Sequence, residues 1–476
     1  MRRKANLLIV LFVMISGCAS AQPSFLSVPP VESVEAIFEP DYRNGRVMAV
    51  EAAIAGAQAE YGVISKSAAE EIFRTASTAY APLEVVEAEY GIVRHRMVAL
   101  LNVWRRSLSP SAGDALHLGV TTVDVYDTVM VLQLLAASAL MIEQMQALEQ
   151  GLVCLAYEHR DTMMIGRTLG QHALPITFGA KASVWAAQNR RNINRLHETR
   201  ERLLSSGVLK GAVGTYLGLG DRGMDIERGV SSRLGLAPPE PADWRAARDV
   251  FAEYAQVLAL TARSNANIGG EVFRLQSTDI GEVRERLAAT AVGSSTMPHK
   301  RNPNLSEALI HHGRTIAALS EIVLADVENM FERDNTSRPN DTLGDISIEA
   351  AKMLIDANRL IARLEVDPVR MRANMNLTDG MIMSQRVMLH LAETMGREEA
   401  ETRVRLAAER SLTSGKGFRA ELLADPVLSQ ELGGTLDALL DPLADLGLAI
   451  QQTEATRDWI SEIRTERGEP PLRSCF

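Results

Sequence analysis

Val120 to Gln150 reads VTTVDVYDTVMVLQLLAASALMIEQMQALEQ, a stretch without glycine or proline. Gly and Pro punctuate helices, so their absence predicts one long helix between Gly119 and Gly151. Much of the run from Val129 to Leu140 is apolar around the whole helix, which predicts burial on more than one side. Similar stretches lie between Gly179 and Gly207, between Pro241 and Gly269, and between Gly344 and Pro368, while Asn304 to Arg338 carries only Gly313. Helices of roughly 25–30 residues run about 40 Å each. They exceed the usual globular helix and predict an elongated bundle whose stripes pack on one another and on other subunits.

Composition agrees with an all-α fold. The 476 residues are 46% hydrophobic, 23% charged and only 5% aromatic. Ala, Leu, Glu, Arg and Met dominate, and these lose least entropy in a helix. Helical periodicity begins near Arg43, in Val47, Met48, Val50, Ala53, Ile54 and Ala57. After Pro368 the helices shorten. The expected organisation is a leader at 1–21, a Pro/Ser/Val-rich linker at 22–35, an N-terminal helical domain at 36–122, a central long-helix bundle at 123–368 and a small C-terminal domain at 369–476.

The net charge is −10, and no Lys/Arg run is long enough to follow a phosphate backbone, which argues against a nucleic-acid partner. An anionic substrate then needs a local basic site. The three cysteines, Cys18, Cys154 and Cys475, form neither a disulfide framework nor a metal cluster by spacing. No metal is expected. Cys154 sits in an apolar helical run and reads as a small core residue.

The N-terminus differs from the rest. Met1-Arg-Arg-Lys4 is basic, Leu7 to Ile15 is nearly all apolar, and Ser16, Gly17 and Cys18 follow. That order is the pattern of a secretory signal. Ile15-Ser16-Gly17-Cys18 also resembles a bacterial lipoprotein box, in which the cysteine is lipidated, while Ala19-Ser20-Ala21 offers a general signal-peptidase site. The expectation is an exported, periplasmic or lipid-anchored protein that meets a membrane only through Cys18. The alternative is a start at Met14 or later and a cytoplasmic chain. Nowhere else do about 20 apolar residues run continuously.

The chemistry concentrates in short polar loops between the helices. Gly293-Ser-Ser-Thr-Met-Pro-His-Lys-Arg-Asn-Pro303 packs hydroxyls, cations and an amide into eleven residues. Gly293 permits close backbone approach, and Pro298 and Pro303 stiffen the second half. Lys300 and Arg301 offer positive charge to a carboxylate, and Asn302 can hydrogen-bond its oxygens. Taken alone, this is an anion-binding loop.

The segment resembles the signature of the fumarase/aspartase superfamily, in its adenylosuccinate lyase and 3-carboxy-cis,cis-muconate cycloisomerase branch. Leu116-His117-Leu118-Gly119-Val120-Thr121-Thr122-Val123-Asp124 resembles that branch's first region. Gly166-Arg167-Thr168-Leu169-Gly170-Gln171-His172-Ala173-Leu174-Pro175 resembles the second, and Met381 to Arg386 the start of the C-terminal domain. The likeness spans about Ile37 to about Arg464.

The resemblance implies a homotetramer of three-domain chains around a central helical bundle. Each active site is shared by three subunits and uses no cofactor. The implied chemistry is elimination or addition beside a carboxylate, through an aci-carboxylate intermediate. Ser294 is the implied base. Ser295, Lys300 and Asn302 would hold carboxylates. Thr121 and Thr122 would donate from the first region, with His95 and His117 as substrate-site histidines. Thr168 and Gln171 would serve in the second region, and Arg333 and Arg338 near the family landmark Glu332-Arg333-Asp334.

Two departures narrow the function. Adenylosuccinate lyases carry a general-acid histidine where this chain has Leu169, and leucine carries no proton. His172 is the remaining candidate acid, or the leaving group needs none. Asn335 to Asn340 also lack the Ser/Arg pattern for a nucleotide phosphate. The main reading is a lyase of a small di- or tricarboxylate, fumarate-releasing in some forms. A lactone-forming carboxymuconate-type cycloisomerase, an adenylosuccinate lyase and a non-catalytic scaffold are the alternatives. A scaffold has no reason to keep Ser294, Lys300 and Asn302 together.

Overall fold

The computed structural model describes residues 32–475, apart from 243–246, 288–292, 335, 337–338 and 445. Cys18 and Arg338 therefore lie outside the described residues. The fold is all-α with two short antiparallel strand pairs, of which only the first is a hairpin. The main helices are α1 (Pro40–Glu60), α2 (Thr122–Glu158), α3 (Phe178–Leu204), α4 (Asp249–Leu275), α5 (Asn304–Ala325), α6 (Pro339–Arg363) and α7 (Ala449–Glu466). Strands β1 (Met163–Thr168) and β2 (Gln171–Thr177) form an antiparallel hairpin between α2 and α3. Strand β3 (Val283–Glu285) pairs antiparallel with β4 (Leu364–Val366), in register Val283 to Val366.

The expected long helices are present, but glycine does not end all of them. Helix α2 runs 37 residues, straight through Gly151. Helix α4 continues past Gly269, where glycine serves packing: a Cβ would sit 2.8 Å from the Ser306 carbonyl and 2.9 Å from Leu309 Cβ of α5. Gly313 of α5 returns the favour, its Cβ position lying 2.5 Å from Ala266 of α4. These glycines set how closely two helix axes approach. The stretch after Asn304 is shorter than expected, since α5 ends at Ala325.

Helices α2 to α6 bury the largest apolar cluster, from Met130, Leu134 and Leu148 to Leu258, Leu309 and Leu354. Helix α2 is long and apolar enough to cross a membrane, yet 67% of its apolar window is buried inside the protein, as in a core helix. A second cluster joins α1 and the small helices up to Leu116 with Leu209, Leu219 and Ile226. A third, around Val387, Phe418 and Leu428, forms the C-terminal core. Helix α7 returns to the bundle, where Ile460 packs in the central cluster.

The cysteine reading needs correction. Cys154 is half-buried, not a core residue, and it is disulfide-bonded to Cys475, with Cα atoms 5.2 Å apart. A separation of 321 residues hides such a pair from spacing rules. What brings it together is the tail, which folds back along α2. Arg473 N donates to Gln150 Oε1 at 2.8 Å and its carbonyl accepts from Gln150 Nε2 at 3.1 Å. Beneath, buried Glu149 accepts from Arg190 Nε and Arg464 Nε, both at 2.6 Å, tying α2, α3 and α7.

Candidate active site

The first region opens α2. His117 and Gly119 both adopt positive φ, 64° and 74°. At Gly119 the chain presses on the loop after α3: a Cβ would lie 2.2 Å from the Gly218 carbonyl. His117 Nδ1 is 2.6 Å from Glu51 Oε1 of α1, whose carboxylate is buried. Burial pulls the imidazole pKa down, but the hydrogen bond and charge of Glu51 outweigh it, and the net direction is up. Thr121 and Thr122, both half-buried, stand at the N-terminus of α2, where orphan amides and the helix dipole favour an anion. Asp124 holds this end together. Its carboxylate accepts from Thr121 N at 3.1 Å, Lys210 N at 3.1 Å and Gly211 N at 3.0 Å. Burial pushes it up to about 6, against the pull of those amides.

His95 has a structural use. It is exposed and caps the helix Arg96–Arg105, its Nδ1 accepting from Val98 N at 3.3 Å.

The second region is the β1–β2 hairpin. Leu169 and Gly170 form a two-residue tip with φ of 53° and 79°, the sign pattern of a tight hairpin turn. Leu169 is fully exposed, and Thr168 and Gln171 flank it, also exposed. His172 lies across the ladder from Arg167. Among the described residues nothing pairs with its buried Nδ1. Burial lowers its pKa, the Arg167 charge lowers it further, and Glu282 opposes. Arg167 makes a two-pronged pair with Glu282, at 2.6 and 2.9 Å.

The third region is the loop 293–303. A Cβ on Gly293 would lie 2.6 Å from the Lys300 carbonyl, so the loop is closed at its root by glycine. Ser294 is half-buried, and its Oγ accepts from Met297 N at 3.1 Å and Thr296 N at 3.4 Å. Ser295 and Lys300 are exposed and Asn302 is half-buried. Lys300 and Asn302 line an open cleft of mixed charge, in which Arg284, Arg301 and Arg370 stand beside Asp279, Glu307 and Asp367. Arg333 is exposed beyond α5, beside a turn in which Asp334 accepts from Met330 N at 2.7 Å and Thr336 N at 2.8 Å.

Helix α2 separates these regions. The first sits at its start and the hairpin follows its end, 37 helical residues later, about 55 Å away. The hairpin is tied through Arg167 to Glu282, which lies just before the third region. One chain therefore gathers the second and third regions at one end and keeps the first at the other. Sequence reasoning missed Glu51, Glu282 and Glu285. Glu51 left a signal, a lone carboxylate inside the apolar run Met48 to Ile54. Glu282 and Glu285 left none, because they read as charges on a polar loop.

A family profile described as "Lyase" matches residues 34–317, and one described as "Adenylosuccinate lyase C-terminus" matches 380–456. The chain is 35% identical to an N-acetyl-S-(2-succino)cysteine lyase of Dickeya dadantii, over 88% of this chain and 93% of that protein. It is 34% identical to an adenylosuccinate lyase of Methanocaldococcus jannaschii, over 87% and 91%. Among solved structures, the 3-carboxy-cis,cis-muconate lactonizing enzyme of Pseudomonas putida superposes with a TM-score of 0.83 at 32% identity, covering 92% of this chain and 98% of that one. These matches run nearly end to end, and the lyase profile spans all three polar loops, so the chain belongs to the fumarase/aspartase superfamily of lyases and cycloisomerases.

Proposed function

We propose that the protein eliminates a substituent from a small substituted succinate, releasing fumarate, with Ser294 as the base. The observation that carries this reading is the pair of backbone N–H groups on Ser294 Oγ. A serine is a poor base at its ordinary pKa, and donors on its oxygen favour the alkoxide. Lys300, Ser295 and Asn302 hold the carboxylates. Removal of the α-proton gives an aci-carboxylate, whose added charge the same donors stabilise.

The leaving group follows from Leu169. An amine anion is far too basic to depart without a proton, whereas a thiol has a pKa near 8.5 and leaves as its anion. An apolar tip suits the second case. A sulfur-linked succinate is also the substrate named for the Dickeya dadantii relative. A lactone-forming reaction is the second reading, favoured by Gln171-His172-Ala173-Leu174-Pro175 and by the Pseudomonas putida structure.

Two further expectations belong to this reading. The distance between the ends of α2 supports an oligomer, a homotetramer, in which the first region of one copy completes the site of another. The Cys154–Cys475 bond supports maturation in an oxidising compartment outside the cytoplasm, since disulfides persist there.

The test is a panel of S-(2-succino)-N-acetylcysteine, adenylosuccinate, argininosuccinate and carboxymuconate, followed by absorbance of the unsaturated acid. Fumarate release from the thioether, with little from the two amine-linked succinates, is the expected result. Turnover of adenylosuccinate at the rate of a purine enzyme, or lactone formation alone, would contradict it.

A further inference from the structure

Two carboxylates lie three residues apart in Glu282-Val-Arg-Glu285, and both are buried, with 0% and 4% exposure. Burying a carboxylate is costly unless it is fully hydrogen-bonded. Here each is satisfied by a different part of the site. Glu282 takes both prongs of Arg167 from the hairpin and Asn374 Nδ2 at 2.7 Å. Glu285 accepts from Leu305 N and Ser306 N, both at 2.9 Å, and from Ser306 Oγ at 2.6 Å. These groups are the first turn of α5, the helix that loop 293–303 enters. Pro303 stands at the cap position and makes no side-chain cap. Glu285 supplies that cap from outside the helix, where the dipole favours a carboxylate.

A third side chain closes the arrangement. Gln276 Oε1 accepts from Glu285 N at 2.7 Å, and its Nε2 donates to the Arg301 carbonyl at 3.1 Å, inside the loop. Strand β3, which ends in Glu285 and directly follows Glu282, is itself pinned. It pairs with β4, Arg286 N donates to Arg363 O at 2.9 Å, and Arg370 grips the Ile280 and Asp279 carbonyls at 2.8 Å each.

We propose that Glu282, Glu285 and Gln276 are positioning residues that fasten the hairpin of the second region and the hinge of loop 293–303 to one short strand. The loop is then anchored at Glu285 on one side and at Arg301 on the other, and the hairpin that carries His172 is tied beside it through Glu282. The catalytic importance of the loop rests on the function proposed above; the fastening itself does not.

The experiment compares the full-length protein with Gln276→Ala and Glu285→Gln by limited trypsin digestion after Lys300 and Arg301, by melting temperature and by steady-state kinetics. Cleavage should be about tenfold faster or more in both variants, as expected for loss of one or two hydrogen bonds at the hinge. Gln276→Ala should melt close to the parent, so it carries the test if Glu285→Gln does not fold. Its kcat should fall with KM nearly unchanged. Combining Glu285→Gln with Gln276→Ala should cost less than the sum of the two, because Gln276 Oε1 holds Glu285 N and both changes loosen the same hinge. Cleavage at the parent rate in Gln276→Ala would overturn the proposal, as would fully additive losses in the double variant. Digestion needs no substrate, so a chain inactive on every compound of the panel would defeat the proposed function and leave this test standing.

Discussion

At His117 the raised pKa has a direct consequence for binding. Burial lowers it, the Glu51 bond and charge raise it by more, and the ring stays protonated above the ordinary value of 6.5. The stabilisation from this pair is complete below the unfolded pKa and is lost as pH rises through the folded one. Substrate affinity should follow the same course. The Kd of a bound dicarboxylate should rise with pH on that limb, and His117→Gln should flatten it; a pH-independent Kd in the parent would remove His117 from the site. His172 runs the other way. Its pKa is lowered, so it is neutral at pH 7 and gives no limb there. At Ser294, substitution by Ala should reduce kcat by roughly 10²–10⁴, the usual worth of a positioned base, and unchanged turnover would exclude it. Leu169→His should add activity on an amine-linked succinate, read by fumarate release. The position of Ser294, Lys300 and Asn302 on one polar loop was legible in the sequence from the motif. Their neighbours were not. Nothing in one dimension shows that Glu51 faces His117 across 66 residues.

Among elements, the long helices were readable because Gly and Pro are scarce in them, and α2 and α3 begin close to the expected positions. Their ends were less so. Glycine served two purposes that a sequence does not separate. Gly170 is at a turn with positive φ, whereas Gly269 and Gly313 sit inside helices to let α4 and α5 touch. Gly313→Val should cost about 1–3 kcal/mol or more by overpacking, seen as a lower denaturant midpoint with little change in helical content. A variant as stable as the parent would mean that the two helices can move apart. The hairpin shows the same limit. Its pattern resembled a catalytic region, but a strand pair between two helices cannot be read from an apolar stretch interrupted by Pro175.

Across the whole molecule, pairings between distant segments were the least legible. Cys154 reads as core because it lies in an apolar run, and only the returning tail reveals its partner. In the chain-entropy picture a loop this long makes the cross-link worth about 6 kcal/mol. Reduction, or Cys475→Ser, should lower the midpoint of unfolding accordingly, and the oxidised chain should run faster on a non-reducing gel. A chain isolated with three free thiols would contradict both the cross-link and the oxidising compartment. The same scale decides catalysis, since the ends of α2 keep His117 and Ser294 far apart in one chain. The most direct measurement mixes two inactive variants, Ser294→Ala and His117→Gln, dissociates them and lets them reassemble. With regions contributed by different copies, random mixing leaves about a quarter of the sites with both residues intact, and activity should return to about that fraction of the parent. Mixtures as inactive as either variant alone would show that each site uses both residues from a single chain, and the account would be wrong.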